Sequence, residues 1–250
     1  MTNSTLLNAT NMGFSSSSGN NAFSDLGSYT ISLPLSHVEY QPVDVMLIID
    51  RSGSMGDHYN QTHTKLDLAK AAAKTFVDQL NMTRDRVGLA SFADEATLDC
   101  YLTNNTASIK SHINSLNANG YTNIGGGISK SNEEFVNNGR SDAAWIMILL
   151  SDGKANRPQD EDYARNYAIE QAECAKILGG KGVRIYTIGL GSPNDLDEDL
   201  LKQIAFDESK YFHAPTADQL ESIYIAISKD ILLQVRYDIV IIQLNIFGSG

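Results

Sequence analysis

Apolar and polar positions along this chain fall into two periods. Val45–Ile49 is an unbroken apolar run that stops at Asp50, and Ile146–Leu150 is a second that stops at Ser151-Asp152-Gly153. Runs of this length read as strands buried on both faces, the mark of a parallel sheet. Elsewhere apolar residues recur at helical spacing, as at Leu66, Ala69, Ala73, Phe76 and Leu80. The pattern predicts strands over 44–50, 86–92, 144–150, 183–188 and 210–213, with a short antiparallel edge strand over 97–102. Helices are predicted over 64–80, 106–116, 126–138, 160–179, 195–205 and 216–232. Gly179-Gly180 supplies a stop signal for the fourth of them. Strands alternating with helices imply a doubly wound α/β fold: a mostly parallel six-stranded sheet with helices on both faces.

The two ends of the chain read differently. Residues 1–27 form a lead-in rich in Ser, Asn and Gly, a composition that favours flexibility. Tyr29, Ile31, Leu33 and Leu35 alternate with polar residues and Pro34, which predicts a strand within 28–40, with the proline favouring an edge. Residues 234–246 read as a very apolar strand. The two terminal strands are expected to pair as flanking β-structure beside a main domain over 41–232. A C-terminal segment, 233–250, closes with a Gly/Ser tail.

The apolar runs matter for chemistry because of what ends them. Asp50 lies where a buried strand emerges, followed by Ser52 and Ser54 with Gly53 between. Asp152 lies at the end of a second such strand. Thr122 precedes Gly125-Gly126-Gly127, where a helix can start close to another backbone. In open α/β sheets, ligands bind at the carboxyl ends of the strands, where strand order reverses. Carboxylates with hydroxyls form the ligand set of a hard cation, not of zinc or copper. Each residue alone has an ordinary explanation, as a helix cap or a turn. Together their order and spacing point to one site.

With those residues in view, the chain resembles von Willebrand factor A-type (vWA) domains carrying a metal-ion-dependent adhesion site (MIDAS). That site uses Asp-x-Ser-x-Ser, a distant Thr and a later Asp. Here these are Asp50-Arg51-Ser52-Gly53-Ser54, Thr122 and Asp152, so all five positions match over roughly residues 40–232. The resemblance implies that Ser52 and Ser54 bind the metal directly, and that Thr122 and Asp152 bind it directly or through water. Magnesium is the expected ion, with manganese or calcium as alternatives. The resemblance further implies an open coordination position that takes an Asp or Glu carboxylate of a protein or peptide partner. The expected function is adhesion or surface assembly without catalysis. A cytosolic vWA subunit of a chelatase or an ATPase-linked maturation complex, docking through the same site, is the alternative.

Composition narrows the choice. The chain has 250 residues, a formal net charge of −11 and a pI of about 4.8, which disfavours nucleic acid and anionic membrane surfaces as partners. No stretch of 18 or more uncharged apolar residues is present, so no span is expected. No signal peptide is visible, so the chain reads as cytosolic or as a mature or trimmed ectodomain. The resemblance favours a cell-surface or extracellular setting. Cys100 and Cys174 fall on an edge strand and a helix, and two free thiols are expected. Gly189-Leu190-Gly191-Ser192 lacks the third glycine of a dinucleotide loop, and no Walker or Gly-x-Ser-x-Gly sequence occurs. His58 and His63 read as exposed loop histidines, Trp145 as core, and Tyr121 as a residue able to line the binding face.

Overall fold

A computed structural model of the protein describes residues 37–239, and the chain divides into two units. In the first, strand β1 (His37–Tyr40) pairs antiparallel with β8 (Arg236–Ile239), His37 opposite Ile239 and Tyr40 opposite Arg236. The predicted strand around Tyr29–Leu35 and the apolar stretch from 240 onward lie outside the described residues.

The second unit, Gln41–Val235, holds the six-stranded sheet. Its strands are β2 (Val43–Asp50), β3 (Arg86–Phe92), β4 (Ala96–Thr103), β5 (Ala144–Ser151), β6 (Val183–Leu190) and β7 (Tyr211–Ala214). They lie in the order β4-β3-β2-β5-β6-β7, with β4 antiparallel and all other pairings parallel. The chain builds outward from β2 to β4 on one side, then returns to place β5 on the other. Strand order therefore reverses between β2 and β5, which is where such sheets hold ligands.

The helices are α1 (Lys65–Gln79), α2 (Thr106–Ser115), α3 (Ile124–Asn138), α4 (Glu161–Ile177), α5 (Glu198–Ile204) and α6 (Leu220–Gln234). Side chains alternate across the sheet, so each central strand feeds two cores. Val45, Leu47 and Ile49 pack with Phe76 of α1, Ile109 of α2 and Tyr224 of α6. Met46 and Ile48 pack on the other face with Phe135 of α3, Ala168 of α4 and Leu201 of α5. Burial on both faces accounts for the unbroken apolar runs. Trp145 is a core residue, stacked on Phe135 at 5.2 Å between ring centres, and donates its indole N–H to the Arg140 carbonyl.

Boundaries moved where capping chemistry outweighs apolar spacing. Helix α3 starts two residues earlier than its periodicity suggests, because the Asn123 side chain accepts from the Gly126 N–H at 2.9 Å and caps it. The three glycines thus sit inside the first turn. A Cβ on Gly127 would lie 2.8 Å from both Ile48 and Phe92, so α3 approaches the sheet more closely than any side chain there would allow. The acidic residues before α4 and α5 act as caps: Asp160 accepts from the Tyr163 N–H and Asp197 from the Leu200 N–H. Both cysteines are free, Cys100 buried in β4 and Cys174 exposed on α4.

The amino-terminal edge of the sheet carries a buried ion cluster that apolar patterning did not single out. Asp44, wholly buried in β2, accepts from the Arg86 guanidinium at 2.9 and 2.7 Å, and from Arg140 through its side chain at 2.7 and 3.0 Å and its backbone N–H at 2.8 Å. Burial pushes the Asp44 carboxyl up, but these bonds outweigh it and hold the group below the usual carboxylate range. Asp44→Asn should lower the unfolding free energy by roughly 3–5 kcal/mol, as expected when one partner of a buried pair is removed. The native Asp44 contribution is full above about pH 4 and falls away as pH drops through the lowered folded value. Denaturant titrations from pH 7 to 3 should show that acid-side slope in the native chain and a weaker one in Asp44→Asn.

Candidate metal centre

Parallel pairing of β2 with β5 sets Ile49 beside Leu150. Asp50 and Ser151 therefore leave the sheet side by side, and Asp152 follows. Ser151 donates its hydroxyl to Asp50 Oδ2 at 2.6 Å, and the backbone N–H of Ser52 donates to Asp50 Oδ1 at 2.8 Å. Asp50 is wholly buried and Asp152 nearly so. Burial raises the Asp50 carboxyl to about 7, the Asp152 charge adds to the shift, and the hydrogen bonds from Ser151 and Ser52 oppose it.

The loop after β2 folds back over this edge. A short 3-10 turn follows over Gly53–Gly56, and its Met55 is buried in the α1-side core, which pins the turn. Ser52 Oγ then lies 3.2 Å from Ser54 Oγ, and Ser54 donates to Asp152 Oδ1 at 2.8 Å. Oxygens in neighbouring octahedral positions around magnesium, each about 2.0–2.1 Å from the ion, lie about 2.9 Å apart. The donor set and its spacing thus suit a hard cation. Ser52 is buried and Ser54 exposed, so the cluster opens to solvent on the Ser54 side.

Two further segments brace the loop. Arg51 points away from the carboxylates and donates to Ser91 Oγ at 3.1 Å and Asn119 Oδ1 at 2.9 Å. The backbone N–H groups of Asn119 and Gly53 donate to the carbonyls of Arg51 and Gly120, at 2.8 and 2.9 Å. Gly120 has φ +70°, and a Cβ there would collide with the Asp94 carboxylate, so this joint requires glycine. Thr122 is buried and tied to the loop after Asp152: its N–H donates to Asn156 Oδ1 at 2.9 Å, and the Asn156 N–H donates to its carbonyl at 3.0 Å. Thr122 Oγ1 faces Gly153, 3.6 Å from where a Cβ on that residue would sit.

Of the five residues predicted from sequence, four are joined in one chain of hydrogen bonds, and Thr122 is held against the same loop. Sequence reasoning missed Ser151, Asn119, Asn156 and Lys65, the last of which donates to Asp152 Oδ2 at 2.8 Å. Only Ser151 carried a local signal, by adjoining Asp152. His58 and His63 stand on the exposed loop, and His63 Nδ1 shares a 2.8 Å hydrogen bond with Thr62. Tyr121 is half-exposed beside Thr122, with the Arg157 guanidinium 3.7 Å over its ring. A cleft of about 510 Å³ opens nearby, lined by residues including Asp94, Glu95, Asn123, Glu133 and Tyr167. Among the described residues no three His, Cys, Asp or Glu side chains gather as a metal cluster, since this site draws mainly on hydroxyls. No helix among them is long and apolar enough to cross a membrane.

The chain belongs to the von Willebrand factor type A domain family, whose model matches residues 44–225. A UPF0353 protein of Mycolicibacterium paratuberculosis is 32% identical over 206 residues, covering 75% of this chain. This chain spans 60% of the length of that relative. The vWF domain of a type V pili tip protein from Porphyromonas gingivalis shares the fold with a TM-score of 0.69 at 20% identity, covering 81% of this chain and 99% of that one. A proximal thread matrix protein from the mussel byssus, solved with a zinc-occupied MIDAS motif, has a TM-score of 0.62 at 24% identity, over 79% of this chain and 46% of that one.

Replacing Asn156 with Ala removes the acceptor of the Thr122 N–H. The Thr122 amide should then exchange with solvent faster by roughly tenfold, the loss expected of one part-buried hydrogen bond of about 1.4 kcal/mol. Exchange at Leu47, deep in β2, should change less, and site-resolved hydrogen exchange reads both.

Proposed function

We propose that this chain is a divalent-metal-dependent protein-binding module without catalytic activity. In this reading Asp50, Ser52, Ser54, Thr122 and Asp152 hold magnesium, which manganese or calcium can replace. Ser52, Ser54 and Thr122 supply neutral oxygens, and Asp152 supplies charge. Asp50, its two oxygens already engaged by Ser151 and the Ser52 N–H, orients the loop and acts through water or its charge. When bound, the ion supplies a positive centre with one outward position for an Asp or Glu carboxylate of a partner protein or peptide. Neutralising charge across the interface gives specificity along with affinity.

The observation that carries this reading is the spacing of the Ser52, Ser54 and Asp152 oxygens, which approach one another as ligands of a single ion do. The fold is shared with the vWF domain of a pilus tip protein and with a byssal matrix protein, which supports adhesion or surface assembly and an extracellular or cell-surface setting. Catalysis would need a general base beside an activated water. The basic side chain bonded to the cluster, Lys65, is engaged with Asp152.

Calorimetric titration of magnesium into chelator-treated protein should give a saturable isotherm. Asp50→Ala should abolish it while leaving the far-ultraviolet circular dichroism spectrum intact. Equal binding by both proteins would place the ion elsewhere and remove this assignment.

A further inference from the structure

Asp50 and Asp152 are buried together, yet the direct hydrogen-bond partners of Asp50 are neutral and Arg51 is turned away. Among the described residues the cation bonded to this pair is Lys65, whose ammonium donates to Asp152 Oδ2 at 2.8 Å. Lys65 is the first residue of α1. A positive charge at a helix amino terminus opposes the helix dipole, so local preference does not explain a lysine there. Its backbone is fixed from both sides. Thr64 and Asp67 exchange side-chain and backbone bonds in a capping box, and the Lys65 N–H donates to the Asp57 carbonyl at 3.0 Å. The side chain is only about a quarter exposed and crosses from α1 to the loop after β5. A second carboxylate, Asp57 Oδ2, lies 4.0 Å from the same ammonium and is well exposed.

We propose that Lys65 is a tethered counter-cation that occupies Asp152 when no divalent ion is bound and moves toward Asp57 as the ion takes its place. This inference rests on the metal-binding reading of the site. A divalent ion and an ammonium both draw on the two oxygens of Asp152, and the long flexible stem of lysine lets the ammonium reach either carboxylate. In the metal-free protein the contact keeps a buried charge paired, which keeps the loops assembled. The same contact opposes metal entry, so Lys65 sets how much divalent ion the site needs. It also links occupancy of the site to the exposed loop 57–64, on the rim where a partner would approach.

The test is magnesium titration of the full chain with Lys65→Met, alongside thermal unfolding in chelator. Lys65→Met should bind magnesium more tightly by roughly tenfold, the equivalent of one charge-assisted hydrogen bond no longer displaced. In chelator it should melt below the native chain, and added magnesium should raise its melting temperature by more than it raises the native one. Lys74→Met, on the same helix but bonded to Asn114, should leave magnesium affinity unchanged, which separates displacement from a general charge effect. If Lys65→Met folds poorly, Lys65→Gln carries the same expectation, because it keeps a donor and lacks the charge. Unchanged or weaker magnesium binding in the folded variant, with saturable binding in the native chain, would overturn the role of Lys65 and leave the metal site standing. Absence of magnesium binding in native and variant chains alike would overturn both.

Discussion

Everything at the candidate site depends on the register of one pair of parallel strands. Because β2 and β5 meet with Ile49 beside Leu150, two apolar strands deliver Asp50 and the Ser151-Asp152 pair to the same point on the sheet edge. A shift of one residue would turn each acidic side chain to the opposite face. Interior packing on both faces holds the register, so the hydrophobic core fixes the placement of the carboxylates. Once there, they repel each other in a buried setting. The surrounding loops can be understood as the response: hydroxyls from Ser52, Ser54 and Ser151, a backbone N–H, and the Lys65 ammonium.

The two ends of β2 handle buried charge in opposite ways. At the amino-terminal end Asp44 is enclosed by two arginines whose forked donors satisfy both of its oxygens, and the cluster has no exposed acceptor left to offer. At the carboxyl end the one bonded cation among the described residues is a flexible lysine, and the cluster opens to solvent at Ser54. A closed, rigid ion pair suits a structural role. An incompletely neutralised pair of carboxylates with converging hydroxyls suits a site that exchanges a small cation. One strand thus carries a fixed anchor at one end and the proposed adjustable site at the other.

Much of this was legible in the sequence because it depends on local pattern. Runs such as Met46-Leu47-Ile48-Ile49 identify central strands, and the Asp-x-Ser-x-Ser sequence identifies the turn that follows. Residues that act through long-range contacts were not legible. Lys65 reaches Asp152 across 87 positions, and Asn156 reaches Thr122 across 34. Nothing in the immediate sequence of either marks the contact. Asp44 did carry a faint signal, as an acid inside an apolar strand, but its partners Arg86 and Arg140 lie 42 and 96 residues away. Gly125, Gly126 and Gly127 read in the sequence as a place where a helix starts close to another backbone, but apolar spacing alone sets that start at 126 instead of 124. They serve close packing of helix against sheet, and Asn123 makes the cap.

In the proposed reading Ser52, Ser54, Thr122 and Asp152, with Asp50 behind them, surround one divalent ion. Anomalous diffraction from crystals grown with manganese tests it most directly, since manganese scatters strongly and favours the same oxygen ligands. One strong anomalous peak is expected within first-coordination distance, roughly 2.0–2.6 Å, of the Ser52 and Ser54 hydroxyls. A peak at some other carboxylate cluster, or none at this loop with manganese well above saturation, would contradict it.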